Sequence, residues 1–350
     1  MSLGPLMVDI AGTELSAEDR HVLSHPLVGS VLLFTRNYRN AAQIATLTAS
    51  IRAVRSPALL VAVDHEGGRV QRFRDGFTLL PSARSLGREF DADRRQGLAL
   101  AHTAGWLMAS ELRAVGVDFS FAPCVDLDYG VNEAIGDRAF SAQADTVAAL
   151  AAAYAAGMRE AGMAATAKHF PGHGAVVADS HVALPVDRRT LADLEADLRP
   201  YRLLIEDHLS AVMAAHVVFP QVDVMPASLS RRWVTEVLRG SLNFHGCVFA
   251  DDLSMAGAAA FGDITTRARA SLAAGCDVLP ICNDRRAVLE VLDSCKPAAL
   301  NPASQARLVR MRARAEPSRG LTATERWQSA AARLNALAVP PSLVLTEGAS

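Results

Sequence analysis

Short apolar runs recur along this chain, and longer segments of helical period fill most of the gaps between them. The runs are "LMVDIAG" (6–12), "GSVLLFTRN" (29–37), "ALLVAVDHEGG" (58–68), "VDFSFAPCVDLD" (117–128), "AATAKHFPGHG" (164–174), "SAVMAAHVVFP" (210–220), "GCVFADDLS" (246–254) and "CDVLPICND" (276–284). Helical period appears at 40–54, 94–116, 145–162 and 190–208. Strands that are apolar throughout are buried on both faces, and strands joined by helices run parallel. Eight of them within roughly 280 residues is the number that closes a (β/α)8 barrel. The expected class is therefore α/β, a single (β/α)8 TIM barrel with extra C-terminal helices. An open doubly wound sheet is the alternative. It more often carries a Gly-rich dinucleotide turn after its first strand, and "DIAGTELS" is not G-x-G-x-x-G.

The 350 residues are half hydrophobic, enough for one large core. Residues 1–340 are read as one catalytic barrel with a C-terminal helical layer, and 341–350 as an extended tail. Net charge is −2 with both signs interspersed, so no basic stripe suggests nucleic acid as a partner. The five cysteines (Cys124, Cys247, Cys276, Cys282, Cys295) form no Cys-x-x-Cys pair and fit buried free thiols in a reducing compartment. The first residues lack a signal-peptide pattern, and no window reaches roughly 18 uncharged apolar residues. A cytoplasmic, membrane-free monomer is expected.

Polar residues gather where the apolar runs end. They are Asp9, Arg36, Asp64-His65-Glu66, Asp126, Lys168-His169, His216, Asp251-Asp252 and Asn283-Asp284. Helix capping accounts for some of these singly. In a parallel barrel all eight strand ends share one rim, where the active site sits.

The densest chemistry is "AKHFPGHGAVVADSH", 167–181. His169 and His173 are four apart, a ligand spacing on a helix, but Pro171 and Gly172 between them oppose a helix. Asp179 and His181 are two apart, so they point the same way in an extended chain. They are either an idle surface pair or a proton shuttle in which the carboxylate orients the imidazole. In "VFADDLSM" (248–255), one carboxylate can attack a substrate carbon while the other caps the next helix or braces the site. "VDHEGGRVQRF" (63–73) sets Asp64 and Glu66 before a Gly-Gly turn, with Arg69 and Arg72 beyond it. "GDRAF" (136–140) adds Arg138. A nucleophilic carboxylate, a separate proton shuttle and several groups able to grip hydroxyls suit sugar chemistry. Glycosidases normally use two carboxylates, so a His–Asp pair would here replace the usual acid.

In that order, "VDHEGGRVQRF", "GDRAF", "KHFPGHG", "DSH" and "FADDLSM" resemble glycoside hydrolase family 3 over about 300 residues, and within it the single-domain bacterial β-N-acetylglucosaminidases of peptidoglycan recycling. The resemblance implies a (β/α)8 barrel without the larger members' second domain. It implies Asp251 as nucleophile, forming a covalent glycosyl-enzyme, and His181 as acid/base oriented by Asp179. Asp64, Arg72, Arg138, Lys168 and His169 match positions that hold the hydroxyls and N-acetyl group of the terminal sugar. It implies muropeptides and other N-acetylglucosaminides as substrates, with no metal and no cofactor. Position 65 is His where the motif expected is nearer "VDQEGG", and it is expected to point away from the sugar. "GAVVADSH" is apolar where Asp or Thr is expected after the last Gly. The Pro and Gly residues are expected to let 170–181 form a mobile loop carrying His181.

Overall fold

A strand follows from each of the eight apolar runs. In the computed structural model, which describes residues 3–177, 184–295, 301–314 and 320–338, they are β1 Leu6–Val8, β2 Val28–Leu33, β3 Leu60–Val63, β4 Phe119–Ser120, β5 Thr166–Phe170, β6 Ala211–Ala214, β7 Cys247–Ala250 and β8 Leu279–Ile281. Every residue in them is buried, as strands covered on both faces must be. The strands are shorter than the runs. Apolar residues past the strand ends, such as Phe121, Val125 and Leu127, are buried in the loops instead.

All the pairings among these eight strands are parallel. One sheet has the order β8-β1-β2-β3-β4, and a second the order β5-β6-β7. The two sheets touch at both edges through single parallel bridges. Phe119–Ala164 and Cys124–Lys168 link the β4 side to the β5 side, and Phe249–Val278 links β7 to β8. Phe119, Phe121 and Phe249 meet in the interior with ring centroids 5.1–5.6 Å apart, tying the two sheets to one apolar core.

The segments of helical period are helices Ala41–Ala53, Arg94–Ala114, Ala144–Glu160 and Glu195–Glu206. Asn40 and Asp93 start the first two by accepting hydrogen bonds from first-turn N–H groups. Arg94–Ala114 and Ala144–Glu160 approach closely because small residues face each other. A Cβ on Gly105 would lie 2.1 Å from the Tyr154 carbonyl oxygen. Near the C-terminus, helices Pro302–Arg310 and Glu325–Asn335 pack on this body. Arg307 pairs with buried Asp277 at 3.0 Å, and Trp327 donates its indole N–H to buried Glu111 at 2.8 Å. No helix among the described residues is long and apolar enough to cross a membrane. The segment 341–350, read from sequence as a tail, lies outside the described residues.

Candidate active site

The loops after the parallel strands carry the polar residues. Asp64 follows β3, Asp126 lies just beyond β4, Lys168 and His169 are in β5, and Asp251 follows β7. The chain after β3 turns at once into a hairpin, His65–Gly67 against Val70–Gln71. Gly67 and Gly68 take φ of 107° and 55°, a region that side-chain-bearing residues rarely adopt.

Four of the five expected sugar-gripping residues form one connected network. Lys168 Nζ lies 2.8 Å from Asp64 Oδ1 and 2.6 Å from Glu66 Oε1. Arg138 clasps Glu66 with Nε and Nη2, each at 2.9 Å. Arg138 Nη2 is also 3.4 Å from His169 Nε2. His169 Nδ1 is 2.7 Å from Asp126 Oδ2, which makes that nitrogen the donor. Asp126 further accepts the backbone N–H groups of His169 and His173. The peptides Lys168–His169 and Phe170–Pro171 are cis.

The fifth, Arg72, is 4% exposed, and its buried Nε has no hydrogen-bond partner among the described residues. Its guanidinium lies 6.0 Å from the centroid of the Phe34 ring, over which Arg36 also sits at 4.5 Å. Arg36 in turn pairs with Asp9.

Burial alone would push the carboxyls of Glu66 and Asp126 up. Arg138 and Lys168 outweigh it for Glu66 and hold that group far below the usual range. His169 and His173 outweigh it for Asp126 and bring that group to about 2. Burial likewise opposes the Lys168 ammonium, yet Asp64 and Glu66 reverse the effect and raise its pKa.

The two acids after β7 divide clearly. Asp252 Oδ1 accepts from Ser254 N–H (2.9 Å), Ser254 Oγ (2.8 Å) and Cys282 N–H (3.2 Å). Its carbonyl oxygen receives buried His216 Nε2 at 2.8 Å, while His216 Nδ1 meets Ser228 Oγ at 2.6 Å. Asp252 therefore braces the turn and does not cap a helix; the short helix Ala256–Ala259 has no side-chain cap. Burial first, then the Asp251 charge, lifts the Asp252 carboxyl to about 6 despite these hydrogen bonds. Asp251 is half-buried, and the Asp252 N–H donates to its Oδ1 at 2.9 Å. Its charge reaches His173, favouring the protonated ring there, although burial and His169 weigh more and keep that pKa low. Asp251, after the last strand of the second sheet, is thus near enough to the β5 loop for its charge to be felt there.

Asp179 and His181 lie outside the described residues, 178–183. On either side the chain is pinned. His173 is buried, with Asn132 Nδ2 at 2.9 Å from its Nδ1 and 2.8 Å from its carbonyl oxygen. Arg189 binds Asp187 through two nitrogens and Asp197 at 2.8 Å. His65 is 1% exposed and packs its ring against Phe73 and Phe77, where burial and nearby arginines lower its pKa to about 3.

Among the described residues, Cys124, Asp126 and His169 bring ligand-type atoms within 4.8 Å of one another. Burial raises the Cys124 thiol well above its ordinary value, and its Sγ stands 3.3 Å from Asp126 Oδ2. With a protonated thiol, and with His169 Nδ1–H committed to Asp126, the trio is a hydrogen-bonded set.

Sequence reasoning found Asp126 and His216 only as strand-end polar residues, and it gave Glu66 no role of its own. Strand-end position was the available signal for all three.

The comparisons with known proteins agree with this layout. The Glycosyl hydrolase family 3 N terminal domain matches residues 5–311. The beta-hexosaminidase of Thioalkalivibrio sulfidiphilus is 52% identical over 346 residues, 99% of each chain. That of Thiobacillus denitrificans is 56% identical over 312 residues, 89% of this chain and 87% of its own. The crystal structure of NagZ from Neisseria gonorrhoeae in complex with N-trifluoroacetyl-D-glucosamine superposes with a TM-score of 0.92 at 43% identity, covering 97% of this chain and 99% of that one. The chain belongs to glycosyl hydrolase family 3. It is a glycoside hydrolase, and it matches beta-hexosaminidases over its full length.

Proposed function

We propose that the chain is a retaining exo-β-N-acetylglucosaminidase. It removes the non-reducing terminal N-acetylglucosamine from peptidoglycan fragments, N-acetylglucosaminyl-1,6-anhydro-N-acetylmuramyl peptides, during cell-wall recycling in the cytoplasm. It works as a monomer, in one domain of residues 1–340, without metal or cofactor. The parallel bridges at both sheet edges support a closed (β/α)8 barrel with extra C-terminal helices.

The observation that carries this reading is the pairing of an engaged Asp252 with a half-buried Asp251 at the end of β7, whose charge reaches His173 in the loop that follows Lys168 and His169 of the Asp64–Lys168–Glu66–Arg138–His169 network. An oxygen of Asp251 bonds to the anomeric carbon as the glycosidic oxygen leaves. His181, oriented by Asp179, protonates that oxygen and later takes a proton from the water that releases the sugar. Asp64, Arg72, Arg138, Lys168 and His169 hold the hydroxyls and N-acetyl group, using binding at non-reacting atoms to fix the ring for attack. Neutral imidazole adds no negative charge beside Asp251 when water attacks.

Turnover of an aryl β-N-acetylglucosaminide and of the matching aryl β-glucoside tests the assignment. Strong preference for the former is expected. Equal or reversed preference would make the chain a β-glucosidase of the same family.

A further inference from the structure

Lys168 and Arg138 are almost wholly buried cations, and their donors would be of little use to a sugar if they turned with every rotamer. We infer that Glu66 is a positioning residue: it holds Lys168 and Arg138 so that their unspent N–H groups face the sugar. This rests on the sugar-binding reading above and deepens it.

A count of donors among the described residues supports the inference. Glu66 is 8% exposed at its side chain, and both of its oxygens are engaged. Oε1 accepts from Lys168 Nζ and from Arg138 Nη2, and Oε2 accepts from Arg138 Nε. An ammonium has three N–H donors. Lys168 gives one to Glu66 and one to Asp64, which leaves one. A guanidinium has five. Arg138 gives two to Glu66, one to the Ala134 carbonyl and one toward His169 Nε2, which again leaves one. Asp64, at 20% exposed, is the more open of the two acids on Lys168, so it has accepting capacity left for a hydroxyl. Glu66 is thus the inner anchor of the group and Asp64 the outer one. Two-point binding to Arg138 also fixes the plane of that guanidinium in a way that a single contact cannot.

Glu66 also keeps Lys168 charged. Among the described residues, the charged or titratable groups facing that ammonium are Asp64 and Glu66, which favour the cation, Arg138, which opposes it, and Cys124, bridged to Lys168 beyond the end of β4, whose thiol burial pushes well above its ordinary value. Loss of the Glu66 charge removes one of the two attractions and leaves Asp64 alone against burial and Arg138.

The test uses Glu66→Gln and Glu66→Asp in the full-length chain, with pH profiles of kcat/KM on an aryl N-acetylglucosaminide and unfolding midpoints alongside. Glu66→Gln keeps the shape and drops the charge. It is expected to raise KM about tenfold or more and to move the alkaline limb of kcat/KM to lower pH. Glu66→Asp keeps the charge on a shorter arm, so it should restore the limb toward wild type while KM stays elevated. A folded Glu66→Gln with the wild-type limb and KM would overturn the inference, as would a limb displaced equally in both variants. If Glu66→Gln does not fold, the Glu66→Asp profile decides alone: an elevated KM with an unmoved limb supports the role, and a wild-type KM removes it. Wild-type protein that leaves the N-acetylglucosaminide intact would sink the substrate reading instead, so the two failures are distinguishable.

Discussion

Asp252→Asn should stabilise this protein at neutral pH, although it alters a half-buried residue next to the proposed nucleophile. Among the described residues, the three hydrogen bonds to the side chain all enter Oδ1, and an asparagine Oδ1 accepts the same three. What the substitution removes is the charge. The carboxyl sits at about 6 in the fold against an ordinary 3.8, a difference of about 2 units. At about 1.4 kcal/mol per unit, the ionised form costs up to about 3 kcal/mol of folding stability. The side chain retains some water contact, so we expect about 1–3 kcal/mol. The native state here binds its proton more tightly than the unfolded chain does. Wild-type stability therefore falls as pH rises from about 4 through about 6, then levels off. The asparagine variant lacks this fall. Urea unfolding at pH 7.5 should show it more stable than wild type, with the gap closing near pH 4. A variant less stable than wild type at pH 7.5, or a gap independent of pH, would refute the reasoning. Activity supplies a second reading of the same variant. Because Asp252 braces and does not attack, turnover should stay within about tenfold of wild type.

Three further outcomes follow from the same structure. His181→Ala should lower kcat/KM by about 10²–10⁴-fold on substrates with poor leaving groups, and far less on dinitrophenyl glycosides; equal losses on both would remove the acid role. Gly105→Ala forces a Cβ against the Tyr154 carbonyl and should cost about 1–3 kcal/mol in urea unfolding, whereas an unchanged midpoint would mean the two helices part easily. Exhaustive treatment with a chelator should leave turnover intact, and a loss that zinc restores would favour a metal-dependent hydrolase.

The framework was legible because burial on both faces writes continuous apolar runs, and helical crossovers separate them at regular intervals. The polar strand ends were legible for a similar reason, since a charged group closing an apolar run has few structural duties. Partnership was not legible. Glu66 meets Arg138 across 72 positions and Lys168 meets Asp64 across 104, and nothing local to "VDHEGG" or "GDRAF" announces either contact. Asp126 is harder still. It is one of two aspartates in "VDLDYG", and its role exists only because the chain after β4 folds beside 168–173. Asp251 and Asp252 are adjacent and chemically identical in sequence. Only the packing of Ser254 and Cys282 around Asp252 marks it as the brace and leaves Asp251 as the proposed nucleophile.

Covalent chemistry at a single carboxylate is the claim that most needs a direct test. The protein should be incubated with a slow, activated 5-fluoro-N-acetylglucosaminyl donor, digested, and sequenced by mass spectrometry. The sugar is expected on Asp251, and Asp251→Ala should accumulate no label and lose nearly all turnover. Label on Asp252, or full turnover of the Asp251→Ala variant, would contradict the account.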